Sequence, residues 1–140
     1  MAQGKPYQAY QNTKVQTSNQ QQLIVMLYDG MDRFLTKAVA AIEEKDFEAA
    51  HNNLHRTGKI LLELLSTLRE DRGGEIAANL KRLYVYCYEE VVLANLKKDV
   101  AKIADVRQVL ANLREGFQSA RMGSQVQQGG SINKSLRITG

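Results

Sequence analysis

The stretch LYVYCYEEVVLANL, residues Leu83–Leu96, decides the fold class of this 140-residue chain. It contains no glycine or proline and reads as a helix. At about 100° per residue, one face carries Leu83, Cys87, Val91 and Ala94. The roughly opposite face carries Val85, Val92 and Leu96, and Tyr86 and Leu93 lie between. A helix that is apolar nearly all round is buried on more than one side, so this stretch predicts a helical core and a second surface that something else covers.

The composition around this stretch favours an all-α protein of one domain. Hydrophobic residues make up 44% of the chain, with one proline and no tryptophan. Alanine, leucine, glutamate, lysine and glutamine, which are strong helix formers, are abundant. A single cysteine, Cys87, excludes an internal disulfide framework and a multi-cysteine metal site, and it fits a reducing compartment.

Apolar residues at helical spacing predict four helices joined by short loops. Ser18 or Asn19 caps the first helix, Asp46 the second and Asp99 the fourth. The third is expected from about Glu75 to Asn95, after a charged turn at Arg69–Gly74. Short loops make successive helices antiparallel, so residues 18–122 are predicted to form an up-down-up-down four-helix bundle.

The expected core stripes follow from the same spacing. The first helix presents Leu23, Met26, Leu27, Met31, Phe34, Leu35, Ala38 and Ile42. The second presents Phe47, Ala50, Leu54, Leu61, Leu65 and Leu68. The fourth presents Val100, Ile103, Val106, Leu110, Leu113 and Phe117. Gly30 is expected to permit close helix packing.

Two polar segments flank the predicted bundle. Residues 1–17 are rich in glutamine and are expected to form a flexible amino-terminal arm, or a short helical turn, interrupted by Tyr7 and Tyr10. Residues 123–140 are rich in glycine, serine and glutamine and are expected to be disordered. This tail is either native or a remnant of cloning.

The net charge of +4 resides in these flanking segments. Lys5, Lys14, Lys134 and Arg137 account for all of it, and the predicted bundle is neutral. A nucleic-acid partner is therefore not expected. The longest strictly apolar run, Leu23–Leu27, is too short for stable membrane insertion, and the amino terminus lacks the apolar region of a signal peptide, so a cytoplasmic protein is expected.

Catalytic chemistry has little support in the sequence. Glu48, His51 and His55 share one helical face, but di-metal bundles use the Glu-x-x-His motif twice, with two further glutamates. A solvent-exposed face explains these residues better. Cys87 lies on the apolar stripe of the third helix and resembles a buried cysteine more than a nucleophile. We expect no catalytic residue, no cofactor and no metal.

Surplus apolar residues are the strongest functional signal. On the second helix, Ile60 and Leu64 lie beside the core stripe and Leu62 on its other flank. On the third, the surplus comprises Val85, Tyr86, Val92, Leu93 and Leu96. Such a surface fits generous core packing, a homodimer face or a groove for apolar helices of another protein. The aromatic arm, with Tyr7 and Tyr10, suits a removable cover.

Several blocks of this chain resemble the flagellin export chaperone FliS family. They are YQAYQNTKVQTSNQQQLIVMLYDG (Tyr7–Gly30), AIEEKDFEAAHNNLHRTGKILLELLSTL (Ala41–Leu68) and GGEIAANLKRLYVYCYEEVVLANLKKD (Gly73–Asp99). The likeness extends from about Pro6 to Ala120, with the blocks in the family's order. The tail after Met122 has no assigned counterpart.

The resemblance implies a cytoplasmic chaperone that is not an enzyme. It would bind the disordered carboxy-terminal segment of flagellin in apolar grooves, prevent premature polymerisation and deliver flagellin to the flagellar type III export gate. The Tyr7/Tyr10 arm would occupy the groove when no client is bound. From helical geometry, we expect the client contacts to be Ile60, Leu64, Val85, Val92, Leu93 and Leu96. The alternative is a self-associating helical bundle that uses the same face to form a homodimer.

Overall fold

The structure, a computed structural model, describes residues 20–118 apart from the side chains of Glu70 and Arg72. Its helices are α1 (Gln20–Glu43), α2 (Phe47–Ser66), α3 (Glu70–Lys97) and α4 (Val100–Phe117). This part of the chain contains no strand. The predicted all-α four-helix bundle is confirmed. The predicted arm at residues 1–17 and tail at residues 123–140 lie outside the described residues.

The four helices form a ring in which each packs on its neighbours in the sequence and α4 closes back on α1. The connections span only residues 44–46, 67–69 and 98–99, so successive helices run antiparallel. Polar contacts mark the seams: Arg107 pairs with Asp32 between α4 and α1, and Lys102 pairs with Glu90 between α4 and α3. The up-down-up-down order follows from this arrangement.

Two of the predicted helix caps are present. The Asp46 carboxylate accepts a hydrogen bond from the Ala49 backbone N–H at 3.2 Å, and the Asp99 carboxylate accepts one from the Ala101 N–H at 2.9 Å. Each cap satisfies a donor that the first turn of a helix leaves unpaired. Immediately before each capping residue, Lys45 (φ 61°) and Lys98 (φ 52°) adopt the left-handed conformation that ends the preceding helix.

The start of α3 follows the prediction in part. A helical turn begins at Glu70, inside the charged segment Arg69–Gly74 that was expected to be a turn, but helical geometry is broken at Gly74, so the long helix resumes at about Glu75 as predicted. Only Gly74 departs from helical geometry, with φ 57° and ψ −130°, and it kinks the helix. A Cβ at this position would meet no atom within 4 Å, so the backbone conformation and not space demands glycine.

The core is built from one stripe of each helix, and the α4 stripe is the one predicted apart from Val100, which is half-buried. Ile103, Val106, Leu110, Leu113 and Phe117 are all buried. On the other helices the predicted stripe is partly wrong, because a neighbouring residue takes the core position. On α1, Tyr28 is buried and Met26 is exposed. On α2, Leu64 is buried, whereas Leu65 is half-buried and Phe47 is exposed. On α3, Tyr84 is buried and Leu83 is exposed.

Three aromatic rings meet at the centre of the bundle. The hydroxyls of Tyr28 and Tyr84 share a hydrogen bond of 2.5 Å, and the ring of Phe117 packs edge-on to Tyr28 with centroids 5.6 Å apart. Burial raises the pKa of both phenols. Since each hydroxyl finds its partner in the other, the two tyrosines fix the relative position of α1 and α3.

The close helix packing expected at Gly30 is not present. A Cβ at Gly30 would meet only the end of the Arg33 side chain, at 3.8 Å, so the prediction for Gly30 is wrong. A Cβ at Gly58 would lie 3.4 Å from Cε1 of Tyr88, an ordinary van der Waals contact, so the Tyr88 side chain of α3 packs over α2 at this point.

Candidate functional site

The outer surface of α3 carries two apolar rows, one on each side of its core stripe. The first row, Val85, Tyr88, Val92 and Leu96, borders α2. The second row, Leu83, Tyr86 and Leu93, borders α4. The first row repeats every three or four residues, which is the spacing of one helical face, and the second does so with Glu90 between Tyr86 and Leu93. The stretch Leu83–Leu96 is apolar nearly all round because α3 has a buried stripe and two flanking apolar rows.

The α2/α3 groove consists of Leu62, Val85, Val92 and Leu96. Tyr88 touches α2 at Gly58, and the Asn95 side chain contacts Nδ1 of His51 at 2.9 Å. These two contacts place the first row of α3 along α2, and helical spacing puts Leu62 opposite Val85. The exposed fraction is 41% for Val92 and 76% for Leu96. These exposed apolar side chains share the seam with the polar His51–Asn95 contact.

The α3/α4 groove consists of Leu83, Tyr86 and Leu93 with Val109 of α4. The ion pair between Glu90 and Lys102, at 3.7 Å, lies on the same seam. Burial raises the pKa of Tyr86, and the negative charges of Glu90 and Asp105 add to the effect. The apolar side chains of this groove are therefore interrupted near its centre by the Glu90–Lys102 ion pair.

The remaining seam that carries a cleft is polar. Between α1 and α4 a cavity of about 540 Å³ has Tyr28 and Leu110 among its lining. Arg114 donates to both carboxylate oxygens of Asp29, at 2.6 and 3.3 Å, across its rim. Its polar rim distinguishes this cleft from the two apolar grooves beside α3.

Four of the six predicted client contacts lie on the outer surface of α3. Val85, Val92 and Leu96 lie in the α2/α3 groove, and Leu93 lies in the α3/α4 groove. All four are exposed.

The other two predicted contacts lie elsewhere. Leu64 was expected at the surface, but it is completely buried, so that expectation is wrong. Ile60 is half-buried and packs against the core. It lies one turn after Arg56, whose guanidinium is 5.8 Å from the Phe34 ring of α1, so Ile60 faces α1 and not α3.

Four groove residues were missing from the predicted contacts: Leu62, Leu83, Tyr86 and Val109. Leu62, exposed by 47%, already stood out on the apolar flank of the second helix. Leu62 belongs to the groove because it lies on the side of α2 that faces α3, and the spacing of apolar residues along α2 does not reveal which side that is. Leu83 had been placed in the core because it shares a face with Cys87, but Tyr84 occupies that position.

The residues considered for catalysis or metal binding have other surroundings. The rings of His51 and His55 stack with centroids 5.8 Å apart, on the exposed side of α2. Across residues 20–118, no three histidine, cysteine, aspartate or glutamate side chains are grouped so as to hold a metal ion. Cys87 is buried, and burial raises the pKa of its thiol to about 12. A protonated, enclosed thiol is a poor nucleophile.

No helix between residues 20 and 118 combines the length and the hydrophobicity that crossing a bilayer requires.

Comparison with known proteins gives a consistent family. The family model described as Flagellar protein FliS matches residues 2–124. A protein of Bacillus subtilis named Flagellar secretion chaperone FliS is 36% identical over 120 residues, which is 86% of this chain and 89% of the relative. A protein of the same name from Campylobacter jejuni is 34% identical over 122 residues, 87% of this chain and 95% of the relative. Both relatives are named as chaperones and not as enzymes, in agreement with the expectation that this chain has no catalytic activity.

Proposed function

This chain belongs to the FliS family of flagellar proteins, and from that premise we propose that it is a cytoplasmic chaperone for flagellin. It binds the disordered carboxy-terminal segment of flagellin along the two grooves beside α3. Its contacts are Val85, Val92 and Leu96, joined by Leu62, in the α2/α3 groove and Leu93 in the α3/α4 groove. The observation that carries the proposal is the pair of solvent-open apolar rows on either side of one helix.

The chemistry of the client explains why such grooves are useful. A segment that buries apolar faces in a filament exposes those faces to water when it is alone. If the segment folds into an amphipathic helix, it buries its apolar face again by lying in an apolar groove. Folding on binding costs on the order of 2–5 kcal/mol or more. A wrapped interface of roughly 2,000 Å² offsets this cost. Because buried area gained with ordering converts only partly into affinity, the client remains releasable.

Two further steps complete the proposed role. While the grooves are occupied, the client's apolar faces are unavailable for polymerisation. The complex then carries flagellin to the flagellar type III export gate. When no client is bound, the amino-terminal arm with Tyr7 and Tyr10, which lies outside the described residues, covers a groove.

Calorimetric titration with the last ~50 residues of flagellin from the same organism tests the proposal, since that length suits an interface of standard size or larger. We expect one-to-one binding, a large negative heat-capacity change and a gain of helicity. The decisive variant is Val92→Asp, which places a charge in the α2/α3 groove and should abolish binding.

Met26→Asp is a matched control. Met26 is exposed by 43%, against 41% for Val92, but lies on α1 away from both grooves. This variant should bind the client like the unmodified chain. Equal loss in the two variants would count against the groove. A chain that binds no client, even after removal of residues 1–17, but sediments as a dimer that Val92→Asp dissociates, would favour the homodimer instead.

A further inference from the structure

The α3/α4 groove has a covalently attached neighbour of complementary chemistry. The chain continues from the end of α4 into SARMGSQVQQGGSINKSLRITG, residues 119–140. The family model ends at residue 124, so most of this segment has no counterpart in the family match. We propose that residues 131–139 dock in cis in the α3/α4 groove, which Leu83, Tyr86, Leu93 and Val109 form.

The sequence of the segment suits an apolar groove. Ile132, Leu136 and Ile138 are its apolar residues, and they are separated by small or polar ones. Its preceding linker, residues 119–130, contains little besides glycine, serine, glutamine and single apolar residues. The binding element is thus a short apolar stretch at the end of a long spacer.

The distance from the end of α4 to the groove matches the span expected for residues 119–130. The segment leaves α4 after Gln118, and α4 itself forms one wall of the groove. At 1.5 Å per residue, the chain must return about 14 Å to reach the level of Val109 and about 20 Å to reach Asp105. A twelve-residue coil has a root-mean-square span of about 19 Å. An intramolecular ligand is most concentrated when its span matches the separation, and its effective concentration then reaches the millimolar range.

Charge is compatible with docking in the same groove. Residues 119–140 contain Arg121, Lys134 and Arg137 and no acidic residue. The groove itself carries both signs of charge. Glu90 and Asp105 lie near its centre, Lys102 pairs with Glu90, and Lys81 and Arg82 lie with Tyr86 on the outer face of α3. The docking therefore rests on apolar contact, and the basic residues of the segment have the Asp105 carboxylate as an acceptor within reach.

The docking requires no client and is independent of the proposed function. It nevertheless has a consequence for that function, since Leu93 belongs to both surfaces. The docked segment and a client helix would exclude each other at this position. The segment would act as an intramolecular competitor that a higher-affinity client displaces.

A nitroxide spin label on Thr139→Cys in the full chain tests the docking directly. The native Cys87 is buried, so the label reacts at residue 139 alone. The docked fraction is the effective concentration divided by the sum of that concentration and the intrinsic Kd, so a millimolar effective concentration populates the docked state when the intrinsic Kd is of millimolar order or tighter. We expect relaxation enhancement of the backbone amides at Tyr86–Leu93 and Asp105–Val109, which reduction of the nitroxide removes.

Two controls separate the possible occupants. Adding Leu136→Asp to the labelled chain should abolish the broadening while the bundle spectrum stays unchanged. Mixing isotope-labelled chains without nitroxide and unlabelled chains with nitroxide should give no broadening. Signals that broaden in this mixture would assign the groove to a second copy. Broadening that is absent, or confined to the α2/α3 groove, would overturn the proposal and leave the client proposal intact.

Discussion

Leu64 and Leu62, two residues apart on α2, should respond very differently to truncation. Leu64 is completely buried and Leu62 is exposed by 47%. Leu64→Ala removes methyl groups from a packed core and leaves a cavity, which costs about 2–5 kcal/mol. Leu62→Ala forfeits about half of the transfer free energy of a leucine side chain, of order 1 kcal/mol, and creates no enclosed cavity. Leucine and alanine have similar helix propensities, so the difference reports burial.

Urea denaturation followed by far-UV circular dichroism measures the two variants. With an m-value of about 1.5 kcal/mol/M, Leu64→Ala should lower the midpoint by about 1.5–3 M and Leu62→Ala by about 0.7 M or less. Equal shifts would refute the burial argument. Client titration should give the converse order: at a temperature where both variants are folded, Leu62→Ala weakens binding more than Leu64→Ala does. The buried position also makes Leu64→Asp unsuitable as a binding test, because it should unfold the bundle.

Three further changes probe the core. Tyr28→Phe or Tyr84→Phe alone leaves one buried hydroxyl unpaired and should cost about 1–3 kcal/mol, whereas the double variant should cost less than the sum of the two, as a double-mutant cycle in urea will measure. Because burial raises the pKa of Cys87 from 9.0 to about 12, its contribution to stability is complete below pH 9 and is lost as the pH rises toward 12; Cys87→Ala should therefore show a shallower alkaline decline in the free energy of unfolding. Gly58→Ala should be nearly neutral by thermal melting, since its Cβ would lie 3.4 Å from Tyr88, but Gly58→Val should cost about 1–3 kcal/mol by crowding the ring.

The secondary structure was largely predictable because its signals are local. The caps Asp46 and Asp99, and the α4 stripe, depend only on residues within a few turns of one another. The two consecutive glycines correctly indicated the break before Glu75, but they gave no sign of the helical turn at residues 70–73 that precedes it. A single residue at positive φ kinks the helix, and the preceding turn remains helical.

The functional surface was less predictable, for a physical reason. When apolar residues cover more than half of a helix, periodicity does not determine which of two adjacent positions faces the core. Leu64 rather than Leu65, and Tyr84 rather than Leu83, are buried because of side chains on other helices. The packing of neighbouring helices also determines that Ile60 faces α1 and that Leu62 faces α3.

The hydroxyl pair of Tyr28 and Tyr84 also gives the molecule an optical probe. The chain has no tryptophan, so its near-ultraviolet signal comes from six tyrosines and three phenylalanines. In the native state these two phenols are shielded from base, and their ionisation is coupled to the opening of the bundle. Phenolate absorbance during an alkaline titration should thus show a late, cooperative step superimposed on the ordinary titration of exposed tyrosine. The amplitude of that step would count the core tyrosines without any added label.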